Sequence, residues 1–210
     1  MFDTNMKDMT VTGLCDLTAS NSPAPGGGSI SAMAGAYSAA LCAMVAKLTT
    51  NKKGYEHLNE QMAQINQQAE ALRLELLTDI QKDSESFNAY MEALGLPKNT
   101  DEEKAARSQA MQDALKGACQ VPLKVAYKCL EALKMAKTAV ELGNINTASD
   151  GMVGALLGRA SVLGATHNVR INLGGIKDED FKADMMSQCD QLEAQANAIE
   201  QEASRILHAR

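Results

Sequence analysis

Residues 58–94 read LNEQMAQINQQAEALRLELLTDIQKDSESFNAYMEAL. Leu58, Met62, Ile65, Ala69, Leu72, Leu76 and Ile80 recur at helical spacing, and Phe87, Met91 and Leu94 keep the register. A helix of about 3.6 residues per turn brings such positions to one face, so the stretch predicts a long helix that buries one stripe. Gly95 and Pro97 end it, one by freeing the backbone and the other by refusing to continue the ladder.

The segments on either side repeat the period. Thr100-x-x-Glu103 is a capping box that opens a fourth helix, and Met111, Leu115, Ala118, Val125, Cys129, Leu133 and Val140 mark its buried side up to a stop at Gly143. Pro122 lies inside that helix and is expected to kink it, leaving the Ala118 carbonyl without its usual N–H partner. Upstream, a short first helix is expected around Thr10 to Ala19, with Val11, Leu14 and Leu17 on one face. A second, from about Gly28 to Thr50, carries a smooth seam of Ala32, Gly35 or Ala36, Ala39, Ala43 and Ala46. A fifth repeats that device with Gly151, Gly154, Gly158, Ser161 and Ala165, so the second and fifth are expected to pack closely on each other. The last, about Asp178 to His208, carries Phe181, Met185, Cys189, Leu192, Ala196, Ile199, Ala203 and Ile206 as a bundle or dimer seam. Period-two alternation is nearly absent and no linker divides the chain. The expected fold is all-α, a single-domain bundle of about six helices spanning residues 1–210.

Composition narrows the function classes. The net charge of −6, with Lys and Arg dispersed among acids, leaves no basic face for nucleic acid or an anionic membrane. Five cysteines, Cys15, Cys42, Cys119, Cys129 and Cys189, include no C-x-x-C pair and read as reduced core thiols. His57, His167 and His208 are equally scattered, so no metal site or His-based triad is expected. The start of the chain, with Asp3, Lys7 and Asp8, lacks a signal-peptide core, and a cytoplasmic protein is expected. Ser20 to Ala46 holds no charged residue and is long enough for a membrane span, but Gly, Ala and Ser dominate it, which fits a helix surrounded by protein.

Two features ask for more than a plain bundle. Pro23-Ala-Pro25-Gly26-Gly27-Gly28-Ser29 sets three glycines where the second helix begins, although each costs about 1 kcal/mol relative to alanine in a helical turn. Either the bare amides at this helix start receive an oxygen of a ligand, or the glycines only permit a tight turn against a neighbouring helix. Along the third helix, the step after Ile80 lands on Asp83. Burial there would raise its pKa toward neutrality and suit it to give and take protons; alternatively the seam slips to Ser84 and Asp83 faces water. Glu85 falls on the opposite side. Asn168 and Asn172 share a face if the fifth helix runs through them, with Arg170 between, and either offer amides to a heterocycle edge or cap a helix end. Lys98, Lys104 and Arg107 flank the loop after the third helix, as ligand-carboxylate contacts or as a solvated helix start.

Ser22-Pro-Ala-Pro-Gly-Gly-Gly-Ser29, Asp83-Ser-Glu-Ser-Phe-Asn-Ala-Tyr90, Leu96-Pro-Lys-Asn-Thr-Asp-Glu-Glu-Lys104, Val121-Pro-Leu123 and Asn168-Val-Arg-Ile-Asn-Leu173 resemble the cyclodeaminase/cyclohydrolase family of folate enzymes, in the right order from about Met9 to Ile206. The resemblance implies an all-helical subunit that forms a homodimer, with a tetrahydrofolate derivative, with or without a polyglutamate tail, in a cleft near the interface. It implies that Asp83 is the catalytic aspartate, and that Pro25, Gly26, Gly27, Gly28, Ser29, Lys98, Asn168, Arg170 and Asn172 contribute to substrate binding. No cofactor beyond the tetrahydrofolate and no metal are implied, because the substrate supplies the electrophile. The expected activity is formiminotetrahydrofolate cyclodeamination, giving 5,10-methenyltetrahydrofolate and ammonia. Methenyltetrahydrofolate cyclohydrolase is the alternative within the family, and a non-catalytic helical oligomerisation module the alternative outside it.

Overall fold

The computed structural model describes residues 5–210; Met1 to Thr4, and with them Asp3, lie outside the described residues. Six α-helices follow in order: α1 (Val11–Thr18), α2 (Gly27–Thr49), α3 (Asn59–Leu94), α4 (Asp101–Leu142), α5 (Ala148–Leu173) and α6 (Glu179–Ala209), joined by short 3₁₀ turns and with no strand among the described residues. The capping box at Thr100 and Glu103 forms with both of its bonds, and Gly143 caps the far end of α4.

Helix α2 is the axis. It is long and apolar enough to cross a membrane, yet it lies against α3, α4 and α5, with Ala32, Ala39, Ala43 and Ala46 buried. Small residues let backbones approach where larger ones would clash. A Cβ on Gly158 would sit 3.0 Å from both the Leu133 Cβ and the Ser38 Oγ. Ser38 donates its hydroxyl to the Gly154 carbonyl at 2.7 Å, fixing the α2–α5 contact the two smooth seams predict.

The buried side of α6 packs on α4 and α5 of its own chain, so that stripe is a bundle seam. In α1, only Leu14 is buried; Val11 is 67% exposed, so the expected three-residue face is not a packed one. Four cysteines are buried and unpaired as expected, whereas Cys15 is exposed on α1.

The α3 stripe holds through Ile80 and then departs. Leu76 and Ile80 are fully buried, worth about 1.5–3 kcal/mol each, but Met91 and Leu94 are 48% and 38% exposed. Asp79 and Ser84 are buried instead. The reason is geometric: α2 and α3 run antiparallel, with Gly35 beside Leu76 and Gly28 beside Asp83, so α2 begins where α3 passes Asp83. Beyond that point α3 has no α2 surface to cover, and its last turns border a cleft.

Candidate functional site

The cleft lies at the end of the bundle where α2 starts. Its volume is about 200 Å³, and its wall is built from the Pro23–Gly26 turn, from Asp83, Ser84, Ser86, Phe87 and Tyr90 of α3, from Leu115 and Ala118 of α4, and from Asn168 and Asn172 of α5.

Gly26 is the N-cap of α2 and has no side chain to accept from the first-turn amides. The missing acceptor comes from α3. The Asp83 carboxylate lies against the opening turn of α2, and the Ser29 hydroxyl lies 3.0 Å from both Asp83 Oδ2 and the Ile80 carbonyl oxygen, which compete for its one hydrogen. A Cβ on Gly28 would fall 2.6 Å from the Asp83 Cγ and 2.7 Å from its Oδ2. Glycine is therefore required at 28 for the carboxylate to reach the backbone at all. On the other side, a Cβ on Gly27 would lie 3.1 Å from the Asn168 Nδ2.

Asp83 is half-buried. Burial pushes its carboxyl above the ordinary aspartate range, with the Ser29 hydroxyl and main-chain N–H pulling it part of the way back. No cation pairs with it among the described residues. The seam does slip to Ser84, which is 3% exposed, but Asp83 then faces neither core nor bulk water. It faces the cleft.

The structure brings Gly26, Gly27, Gly28, Ser29, Asp83, Asn168 and Asn172 together; Lys98 and Arg170 lie apart from them, and Pro25, though next to Gly26 in the turn, does not line the cleft. Pro25 is buried behind the lining. Lys98 is exposed on the loop after α3, outside the cleft wall. Arg170 points to α6, donating to Asp190 at 2.7 Å and to Glu193; alternate residues on a helix face opposite ways, so the residue between two cleft asparagines cannot share their face. Lys104 pairs with Asp101, and Arg107 caps α3 through the Leu94 carbonyl. Glu85 is exposed, as its position opposite Asp83 predicts.

Ser86, Tyr90 and Ala118 were not legible as cleft residues from spacing. The signal for Ala118 was present in Pro122, because the Ala118 carbonyl that Pro122 cannot satisfy accepts from Asn172 Nδ2 at 2.8 Å.

Residues 10–191 match the formiminotransferase-cyclodeaminase family model. The chain belongs to that family. It is 41% identical to a methenyltetrahydrofolate cyclohydrolase of Methylorubrum extorquens, over 90% of this chain and 91% of that protein. It is 40% identical to the formimidoyltransferase-cyclodeaminase of Gallus gallus, over 78% of this chain but 30% of that longer protein. Its fold superposes on a formiminotetrahydrofolate cyclodeaminase of Thermotoga maritima with a TM-score of 0.86 at 33% identity, covering 97% of this chain and 98% of the other. Membership of the formiminotransferase-cyclodeaminase family makes this chain an enzyme of the folate cyclodeaminase/cyclohydrolase class, and the scaffold reading gives way.

Proposed function

We propose that the protein is a formiminotetrahydrofolate cyclodeaminase and that Asp83 moves the protons. The observation that carries this reading is a carboxylate with no cationic partner among the described residues, raised above its ordinary range, against the first turn of α2 in a cleft. In 5-formiminotetrahydrofolate with its amidine protonated as the amidinium, the N10 lone pair adds to the formimino carbon, forming the C–N10 bond, moving the C=N pair onto the former imino nitrogen as an amine and leaving a tetrahedral carbon between N5 and N10. Ionised Asp83 takes the N10 proton. It then delivers that proton to the former imino nitrogen, and the C–N bond to this group breaks. Ammonia leaves and the N5–C–N10 bridge remains as the methenyl cation. A carboxyl held above its ordinary range serves both halves, because a base that is too weak cannot take the proton and an acid that is too strong cannot hold it.

A second reading has its own support. The Methylorubrum extorquens relative matches nearly the whole of both chains and is named for cyclohydrolysis. There, Asp83 would take a proton from water as it adds to the methenyl carbon and return it to N5 as the C–N5 bond breaks, the remaining hydroxyl proton leaving to solvent as the formyl carbonyl forms on N10. Purified protein given 5-formiminotetrahydrofolate or 5,10-methenyltetrahydrofolate in separate cuvettes distinguishes the two through the methenyl absorbance. Appearance in the first supports cyclodeamination, and accelerated loss in the second supports cyclohydrolysis. No change over the spontaneous rates in either would sink both.

A homodimer belongs to the same proposal. Tyr37 and Leu48 of α2 and Val153 and Leu156 of α5 are exposed apolar residues on two adjoining helices, and a second copy would cover them. Sedimentation tests this directly, a monomer at micromolar concentration being the contrary result.

A further inference from the structure

Asn172 and Asn168 both line the cleft, and in each the amide nitrogen is already committed to a backbone carbonyl: Asn172 Nδ2 to Ala118 at 2.8 Å, Asn168 Nδ2 to Gly164 at 2.8 Å. A carbonyl oxygen can only accept, so each bond decides which end of the carboxamide is nitrogen. Each Nδ2 keeps one further N–H, and the acceptor each amide offers is its Oδ1, which among the described residues accepts no hydrogen bond.

The two anchors differ in origin. Gly164 is one turn before Asn168 on the same helix, so that bond is local. Ala118 belongs to α4, and its carbonyl is free only because Pro122, four residues on and buried in the middle of a 42-residue helix, has no N–H to give it. A proline inside a helix costs about 3 kcal/mol relative to alanine. Here that cost leaves one carbonyl aimed at α5 on the wall of the cleft, with Asn172 as its donor.

We infer that Pro122 is a positioning residue for ligand recognition: the carbonyl it frees pins the Asn172 amide nitrogen, so that Asn172 Oδ1, beside that of Asn168, accepts from an N–H donor edge of the ligand. This rests on the proposed substrate class, since the reduced pterin ring of a tetrahydrofolate carries such an edge in its ring N–H and amino groups. Pro122→Ala would restore an N–H, draw the Ala118 carbonyl back along the α4 axis and release Asn172 to turn over.

The test is a double-mutant cycle of Pro122→Ala and Asn172→Ala, read as KM and kcat with whichever of the two folates the wild type turns over. Either single variant is expected to raise KM about tenfold with kcat within about twofold, the size of one lost hydrogen bond to the bound ligand. In the Asn172→Ala background, Pro122→Ala is expected to add less than about twofold. The same factor in both backgrounds would show that the proline acts on stability or on helix shape alone, and the inference would fail. Should Pro122→Ala not fold, the wild type decides by itself. In protein labelled with 15N-asparagine, without ligand, one side-chain N–H of Asn172, assigned by its absence in Asn172→Ala, is expected to exchange at least about tenfold more slowly than that of an exposed asparagine. Free exchange of both protons would overturn the pinning. If the wild type turns over neither folate, the function proposal fails while the exchange measurement still judges the anchor.

Discussion

Asp79 and Asp83 stand one turn apart on α3 and have opposite surroundings. Asp79 is the deeper, 4% exposed, and is fully paired: Lys128 of α4 reaches its Oδ2 at 2.6 Å and Lys82 its Oδ1 at 2.9 Å. Burial alone would lower the Lys128 ammonium, but Asp79 and Glu75 outweigh it and hold it above its ordinary range. Asp83 is more open, and among the described residues it has the hydroxyl and main-chain N–H of Ser29 and no cation. Depth is therefore a poor guide to chemistry. The buried carboxylate whose charge is neutralised ties α3 to α4, and the shallower one, without a cation among the described residues, borders the cleft where the proposed mechanism needs a proton carrier.

The sharpest way to break this contrast is to remove each carboxylate in turn. Asp83→Asn should lower kcat about 10²–10⁴-fold, the range of acid–base catalysis, with the helical circular dichroism unchanged. Near-wild-type turnover by this variant would remove Asp83 from the mechanism. Gly28→Ala drives a methyl into the Asp83 carboxylate and should cost about 10²-fold in kcat/KM by displacing the group without deleting it. An active Gly28→Ala enzyme would mean that the carboxylate does not need its seat on α2.

Asp79→Asn should act on the other ledger. It leaves Lys128 with only Glu75, at 3.0 Å and largely exposed, and should lower the unfolding free energy by about 2 kcal/mol in urea while kcat stays within about threefold. Equal losses of activity in the two Asp variants would erase the distinction.

The smallest effect is a pH dependence. The folded-state value of Asp83 is raised, so its ionised form costs stability above that value. The cost fades as pH falls through it toward the ordinary aspartate value of 3.8. Asp83→Asn should thus melt about 2 °C higher than wild type near pH 8, with the gap closing toward pH 4 by differential scanning calorimetry. The same raised value places the acid limb of the wild-type kcat profile above the ordinary aspartate range. A gap that widens on acidification would reverse the sign and place the carboxyl below its ordinary range.

Much of the fold was legible because helical periodicity, caps and breakers are local signals. The α4 capping box and the Gly143 stop follow from residues within a few positions of one another, and the close α2–α5 contact from two small-residue seams that are each local, though they meet 116 positions apart. The far half of the α3 stripe was not legible, since whether Met91 and Leu94 are covered depends on where another helix begins. The site divides in the same way. The three glycines announced a close approach, but only the fold shows that what approaches is Asp83 at Gly28 and Asn168 at Gly27.

The sequence by itself determined an all-helical chain, the limits of most of its helices to within a residue or two, with the fifth starting earlier than its polar lead-in suggests, and an orphaned carbonyl at Ala118. The tertiary structure alone decided that Asp83 faces the cleft rather than core or solvent, that Arg170 is spent on α6, and that Asn172 answers the gap left by Pro122. The physical reason is that periodicity fixes which residues share a face, while what that face meets is set by helices far away in the chain.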